Sequence, residues 1–178
     1  MPNNNKKIRN ATICNQGTIT FKSKLEKATY NILLELGFKP KYEYMTFTLW
    51  DSFTPITPFY DKETDNHQKK RVENGDTINN RMLMLKDSKV IGIRYTPDFY
   101  FRYNDIDVYI ESKGIENEVF YIKKKLFRKY LDDKLITTGQ HSIYFEIYTK
   151  KQLYQAIEIL KTYDKSLQTN RRGHKVPS

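Results

Sequence analysis

Between Val90 and Lys113 the chain carries two runs dense in β-branched and aromatic residues, Val90 to Tyr103 and Ile106 to Lys113, separated only by Asn104-Asp105. Asn and Asp accept the tight backbone of a two-residue loop, so the two runs predict a hairpin. The first run divides into a strand or two that meet at Thr96-Pro97. A pair of strands this apolar is marginal alone and needs covering elements. The flanking sequence offers them. From Lys22 to Leu36, Leu25, Ala28, Ile32, Leu33 and Leu36 recur at helical spacing, with Ser23 as N-cap and Gly37 as stop. From Glu118 to Asp133, Val119, Ile122, Leu126, Tyr130 and Leu131 form a stripe bordered by Lys123, Lys124, Lys125, Arg128 and Lys129. Tyr42 to Trp50 and Ser142 to Tyr148 read as strands, and Lys150 to Lys161 as a helix with Leu153, Ala156, Ile157 and Leu160 inward. The order helix, strand, strand, strand, helix, strand, helix predicts an α/β domain with a mixed sheet between helices.

A length of 178 residues accommodates one such domain. Residues 1–20 open with an Asn/Lys-rich stretch expected to be a flexible basic arm, 21–162 form the domain, and 163–178 form a basic tail. Within the domain, Pro55, Pro58, the polar stretch Asp61 to Asp76 and Gly75 mark residues 51–89 as an inserted loop region. The formal net charge of +10 favours polyanionic partners, nucleic acid or anionic lipid. No apolar run is long enough to span a bilayer, and Met1 to Asn10 lack an apolar signal-peptide core, so no membrane role is expected. Cys14 is the single cysteine. It excludes an internal disulfide or a Cys-rich zinc site and fits a reducing cytoplasm. His67, His141 and His174 show no metal-ligand spacing.

The residues that carry chemistry lie at one end of the hairpin. Tyr95-Thr96-Pro97-Asp98-Phe99 precedes Ile110-Glu111-Ser112-Lys113-Gly114, which places two carboxylates and an amine at neighbouring strand ends. Side chains alternate along a strand, so Glu111 and Lys113 share one face. Oxygens from Asp98 and Glu111 suit Mg²⁺, a hard cation that keeps several waters and so leaves positions for a phosphate oxygen and a nucleophilic water. Lys113 beside that water either orients it, stabilises the transition-state charge, or moves a proton. A lone Pro-Asp is a common turn and a lone Glu-x-Lys a solvated pair; their order and setting give them weight together.

Pro97-Asp98 followed by Glu111-x-Lys113 resembles the signature of the PD-(D/E)xK nuclease superfamily, whose core has the order αβββαβ around a central mixed sheet. The resemblance implies a Mg²⁺-dependent endodeoxyribonuclease, with Mn²⁺ as a substitute. It implies a metal held by Asp98, Glu111 and the Ser112 backbone carbonyl, with Glu26, on the first core helix, as a fourth member. Ser23-Lys24-Leu25-Glu26, Tyr95-Thr96-Pro97-Asp98-Phe99 and Glu111-Ser112-Lys113-Gly114 ahead of a cationic helix are most similar to the phage endonuclease I family of Holliday-junction resolvases, over residues 22–135. That implies branched DNA as substrate and a homodimer, since a junction needs two symmetric cuts. Similar motifs occur in other phage nucleases and in the DNA-cleaving subunit of two-component transposases, which act on linear duplex.

Beside the metal site, Lys123, Lys124, Lys125, Arg128 and Lys129 are expected to track the DNA backbone, where phosphate contacts position without specifying sequence. The competing reading is a DNA-binding module that keeps the fold without the activity. A basic structural protein ranks below both, because it leaves the acidic cluster without a purpose.

Overall fold

The computed structural model describes residues 12–57, 89–114 and 117–173. The expectations placed on residues 1–11, 58–88 and 174–178 lie outside the described residues. The chain divides into two units, Met1–Phe47 with Tyr95–Ser178, and Thr48–Arg94.

The first unit is built on the expected hairpin. β6 (Phe99–Tyr103) and β7 (Ile106–Ser112) pair antiparallel with Phe99 opposite Ile110 and Tyr103 opposite Ile106. Asn104 turns the chain at φ 50°, a left-handed conformation that Asn tolerates. β3 (Lys41–Tyr42) adds antiparallel to β6, and β8 (Ser142–Ile147) adds parallel to β7. The sheet order is therefore β3-β6-β7-β8, a mixed sheet as expected.

All seven residues of β7 are buried, because helices cover both of its faces. Val108 and Ile110 pack with Phe21, Ile32 and Leu33 of the N-terminal segment and Leu153, Ile157 and Leu160 further on. Those residues bring α1 (Lys24–Glu35) and α3 (Lys150–Gly173) onto one face. On the other face Tyr109 meets Phe127 of α2 (Glu118–Thr138) at 5.4 Å between ring centroids, and Phe47 and Tyr95 complete an aromatic layer. Each Phe-sized side chain buried in this way contributes about 2–3 kcal/mol.

The helices start and stop on local chemistry. Ser23 caps α1 by accepting from the Glu26 N–H, and Asn117 caps α2 by accepting from the Phe120 N–H. Gly139 ends α2 in the left-handed region that only glycine enters without cost.

Four expectations are corrected. Residues 14–20, assigned to a flexible arm, join Phe21 in the hairpin of β1 (Cys14–Gln16) and β2 (Ile19–Phe21), because Phe21 is fully buried in the core. The strand expected over Tyr42 to Trp50 is two: Glu43 adopts φ 43° and breaks it into β3 and β4 (Phe47–Trp50). Of the basic tail expected after Tyr163, residues 164–173 instead continue α3, and there the buried Asp164 accepts from Asn104 Nδ2 at 2.8 Å. The inward stripe of α2 is Phe120, Phe127 and Leu131, whereas Val119 and Ile122 are exposed. Lys124 and Lys134 fall on that same inward face, at helical spacing from the buried residues, and both bond carboxylates of the sheet.

In the second unit, β4 pairs with β5 (Ile93–Tyr95), and the Phe53 and Val90 backbones exchange hydrogen bonds of 3.1 and 2.8 Å beyond it. Gly92 is required there: an added Cβ would lie 2.4 Å from the Trp50 carbonyl oxygen. Among the described residues no helix is long and apolar enough to cross a membrane.

Candidate active site

Pro97 has no N–H to give to a strand ladder, so β6 starts after it, at Phe99. With Phe99 opposite Ile110, Asp98 falls opposite Glu111. The Asp98 carboxylate takes over where the ladder ends, accepting from the Ser112 N–H at 2.7 Å. Its own carbonyl accepts from the Glu43 N–H at 2.8 Å. The kink at Glu43 thereby fixes the backbone beside Asp98.

Glu111 and Lys113 project from β7 to the face that α2 covers, as strand parity required. Lys113 Nζ donates to Glu111 Oε1 at 2.7 Å and lies 4.3 Å from the centre of the Phe120 ring. Glu111 Oε2 accepts from the Tyr95 hydroxyl at 2.8 Å, and that hydroxyl lies 3.0 Å from the hydroxyl of Tyr144 on β8. The Lys113 N–H donates to the Ile147 carbonyl on β8. In a trans peptide the preceding C=O points the opposite way, so the Ser112 carbonyl faces the Asp98 side.

Glu26 sits on the inner face of α1 and is buried. It accepts from the Lys22 N–H at 2.8 Å, the Ser23 hydroxyl at 2.9 Å and the Tyr42 hydroxyl at 2.6 Å. This is close to a capping box, a structural employment that the residue has whatever else it does.

The electrostatics of this corner are lopsided. Burial pushes the Asp98 carboxyl well above its ordinary range; the charges of Glu111 and Glu26 push the same way, and the Ser112 N–H and Lys113 only partly offset them. Lys22 pairs with Glu43, and Lys113 with Glu111. Asp98 and Glu26 are then left without an ion-pair partner among the described residues. Burial pulls Lys22 down, but Glu43, Asp98 and Glu26 together hold it above its ordinary value. Burial, and then the Glu111 charge, drives the Tyr95 phenol far up, so it stays a donor at any working pH.

Among the described residues no group of three or more His, Cys, Asp or Glu side chains is arranged to hold a metal ion as it stands. The carboxylates are turned to protein donors. Each carboxylate oxygen has about two lone-pair sites, so a single accepted hydrogen bond does not saturate it. The donor set of Asp98, Glu111 and the Ser112 carbonyl is all hard oxygen, which fits Mg²⁺ or Mn²⁺.

The five basic residues of α2 separate. Lys124 and Arg128 turn to Glu146 of β8, at 2.9 and 3.1 Å. Lys129 pairs with Asp133 one turn on. Lys123 and Lys125 make no ion pair among the described residues. His141 bonds the Tyr163 hydroxyl at 3.0 Å, a structural role. Tyr95, Tyr144, Lys22 and Glu43 were not singled out from the sequence, and only Tyr95, inside the Tyr-Thr-Pro-Asp motif, carried a signal that could have found it.

The opposite end of the hairpin holds a second buried acid. Asp107 accepts from Lys134 Nζ at 2.6 Å, Tyr100 at 3.1 Å and Arg102 at 3.4 Å. Comparison with protein-family models, curated proteins and solved structures finds no match.

Proposed function

We propose that this chain is a metal-dependent endonuclease that hydrolyses DNA phosphodiester bonds at Asp98, Glu111 and Lys113, with Glu26 assisting. One observation carries the reading: Asp98 is buried among like charges, opposite Glu111, at a strand end where each has hard-oxygen capacity to spare. Such repulsion is relieved by a proton or by a cation, and a bound cation is what lets Asp98 stay charged beside Glu111. Mg²⁺, or Mn²⁺ in its place, is that cation, held by Asp98, Glu111 and the Ser112 carbonyl. When bound it supplies Lewis-acid stabilisation to a phosphoryl group.

The chain's own residues do the rest. Asp98 and Glu111 hold the charge that fixes the cation at the end of a rigid hairpin. Lys113, held against Glu111 and the Phe120 ring, presents an ammonium where a water would attack phosphorus, orienting it and offsetting the charge that develops. Glu26, already committed to three donors, acts on this centre through its charge. Lys125 and Lys129 offer the DNA backbone a cationic outer face on α2, with the half-buried Lys123 at its edge. Lys124 and Arg128, tied to Glu146, contribute less than their charge implies.

Branched DNA such as a Holliday junction is the substrate class that the motif resemblance favours, and two symmetric cuts call for a homodimer. The test is cleavage of a synthetic four-way junction and a matched linear duplex in Mg²⁺, Mn²⁺ or chelator. Metal-dependent cutting of the junction in preference to the duplex is expected. Equal cutting of both removes the resolvase assignment and leaves the nuclease; binding that salt reverses and metal ignores indicates a DNA-binding module instead.

A further inference from the structure

We infer that Tyr95, supported by Tyr144, is the positioning residue that sets how tightly Glu111 holds a divalent cation. The inference rests on the proposed reading of Glu111 as a metal ligand. Tyr95 is only 6% exposed and lies in an aromatic slot, 4.9 Å from the Phe127 ring and 6.5 Å from the Phe120 ring. Packing alone there asks for phenylalanine, since a buried hydroxyl is costly unless it is bonded. This hydroxyl is bonded twice, to Glu111 Oε2 at 2.8 Å and to Tyr144 at 3.0 Å.

The single proton of Tyr95 goes to the carboxylate, which accepts only. Tyr144 must therefore donate to Tyr95, and the two phenols form a one-way chain ending on Glu111. Tyr144 is itself fixed on β8, in register with Tyr109 of β7. Glu111 is thus gripped at both oxygens, Oε2 by a rigid phenol rooted in the aromatic layer and Oε1 by the longer, more flexible Lys113. Without the phenol the carboxylate pivots on the ammonium, and its approach to the Asp98 side is no longer held. Removing a partner that orients a metal ligand weakens metal binding by about 10–100-fold.

The test is a calorimetric Mn²⁺ titration of the full chain, wild type against Tyr95→Phe and Tyr144→Phe, with thermal melting and DNA binding in chelator measured alongside. Tyr95→Phe should weaken Mn²⁺ by about 10–100-fold and Tyr144→Phe by less, with chelator-state DNA binding unchanged. Wild-type affinity in Tyr95→Phe overturns the inference alone. No Mn²⁺ binding by the wild type overturns it together with the metal-site reading. Should Tyr95→Phe fail to fold, Tyr144→Phe decides: weaker Mn²⁺ binding supports the chain of phenols, and unchanged binding overturns it.

Discussion

Asp98 and Asp107 stand at opposite ends of one hairpin and are similarly buried, at 9% and 6% exposure, yet their surroundings are of opposite kinds. Asp107 has two cations and a phenol bonded to it, the arrangement that lets a buried carboxylate stabilise a fold. Asp98 has one backbone N–H bonded to it and the charges of two carboxylates around it. One end is balanced by its own cations, and the other carries buried negative charge that its neighbours only partly offset. The two acids share a hairpin, a depth and a chemistry, so the difference lies in the neighbours each has.

The same substitution at the two ends should therefore act with opposite sign. Asp107→Asn strips the charge-assisted bonds from Lys134 and Arg102 and leaves a partly buried ammonium unpaired, at a cost of about 2–3 kcal/mol in urea unfolding. Asp98→Asn keeps an oxygen for the Ser112 N–H and removes the repulsion, so in chelator at neutral pH it should gain about 1 kcal/mol. Destabilisation at both ends would erase the comparison.

The pH dependence follows from the raised Asp98 pKa. The folded state holds the proton more tightly than the unfolded chain, so wild-type stability in chelator is greatest at or below the ordinary carboxyl value. It falls as pH climbs from there through the folded value. Asp98→Asn lacks that fall, and its advantage should widen with pH across the window. An advantage that is flat or shrinks with rising pH would contradict the assignment.

How much of this was legible beforehand depended on which side chains faced inward. The hairpin and the inward face of α3, Leu153, Ala156, Ile157 and Leu160, were readable because most of their buried positions are apolar. On α1 only Ile32 and Leu33, and on α2 only Leu131, were placed inward correctly. Glu26 and Thr29 lie on the buried side of α1, and Lys124 and Lys134 on the inward side of α2, where they answer polar groups on the sheet. Hydrophobic periodicity counts such residues as surface. It therefore pushed the α2 stripe toward Val119 and Ile122 and assigned Lys124 to the outer cationic face. Glu111 and Lys113 were legible because strand parity fixes faces without knowledge of partners, and Asp98 because the hairpin brings its motif to the same strand ends. Tyr95 and Tyr144 were not, since a phenol that orients a carboxylate reads like any aromatic core residue.

The smallest effect concerns the lysines of α2 that make no ion pair among the described residues. Lys123→Gln with Lys125→Gln should leave stability within about 0.5 kcal/mol and lower DNA affinity, reducing the salt slope by about 1 for each phosphate no longer neutralised. Lys124→Gln should instead act mainly on stability, because Glu146 is deprived of a partner. The reverse pattern would assign DNA binding to the inward lysine.

The most direct test of the acidic end is cleavage of a four-way junction by wild-type and Glu111→Ala chains, both shown to be folded and to bind DNA, in Mg²⁺ and in chelator. Cleavage by the wild type in Mg²⁺ alone, with a loss of at least about 1000-fold in Glu111→Ala, is the expected result. Full activity in Glu111→Ala, or no cutting by the wild type with any divalent cation on any DNA, would contradict it.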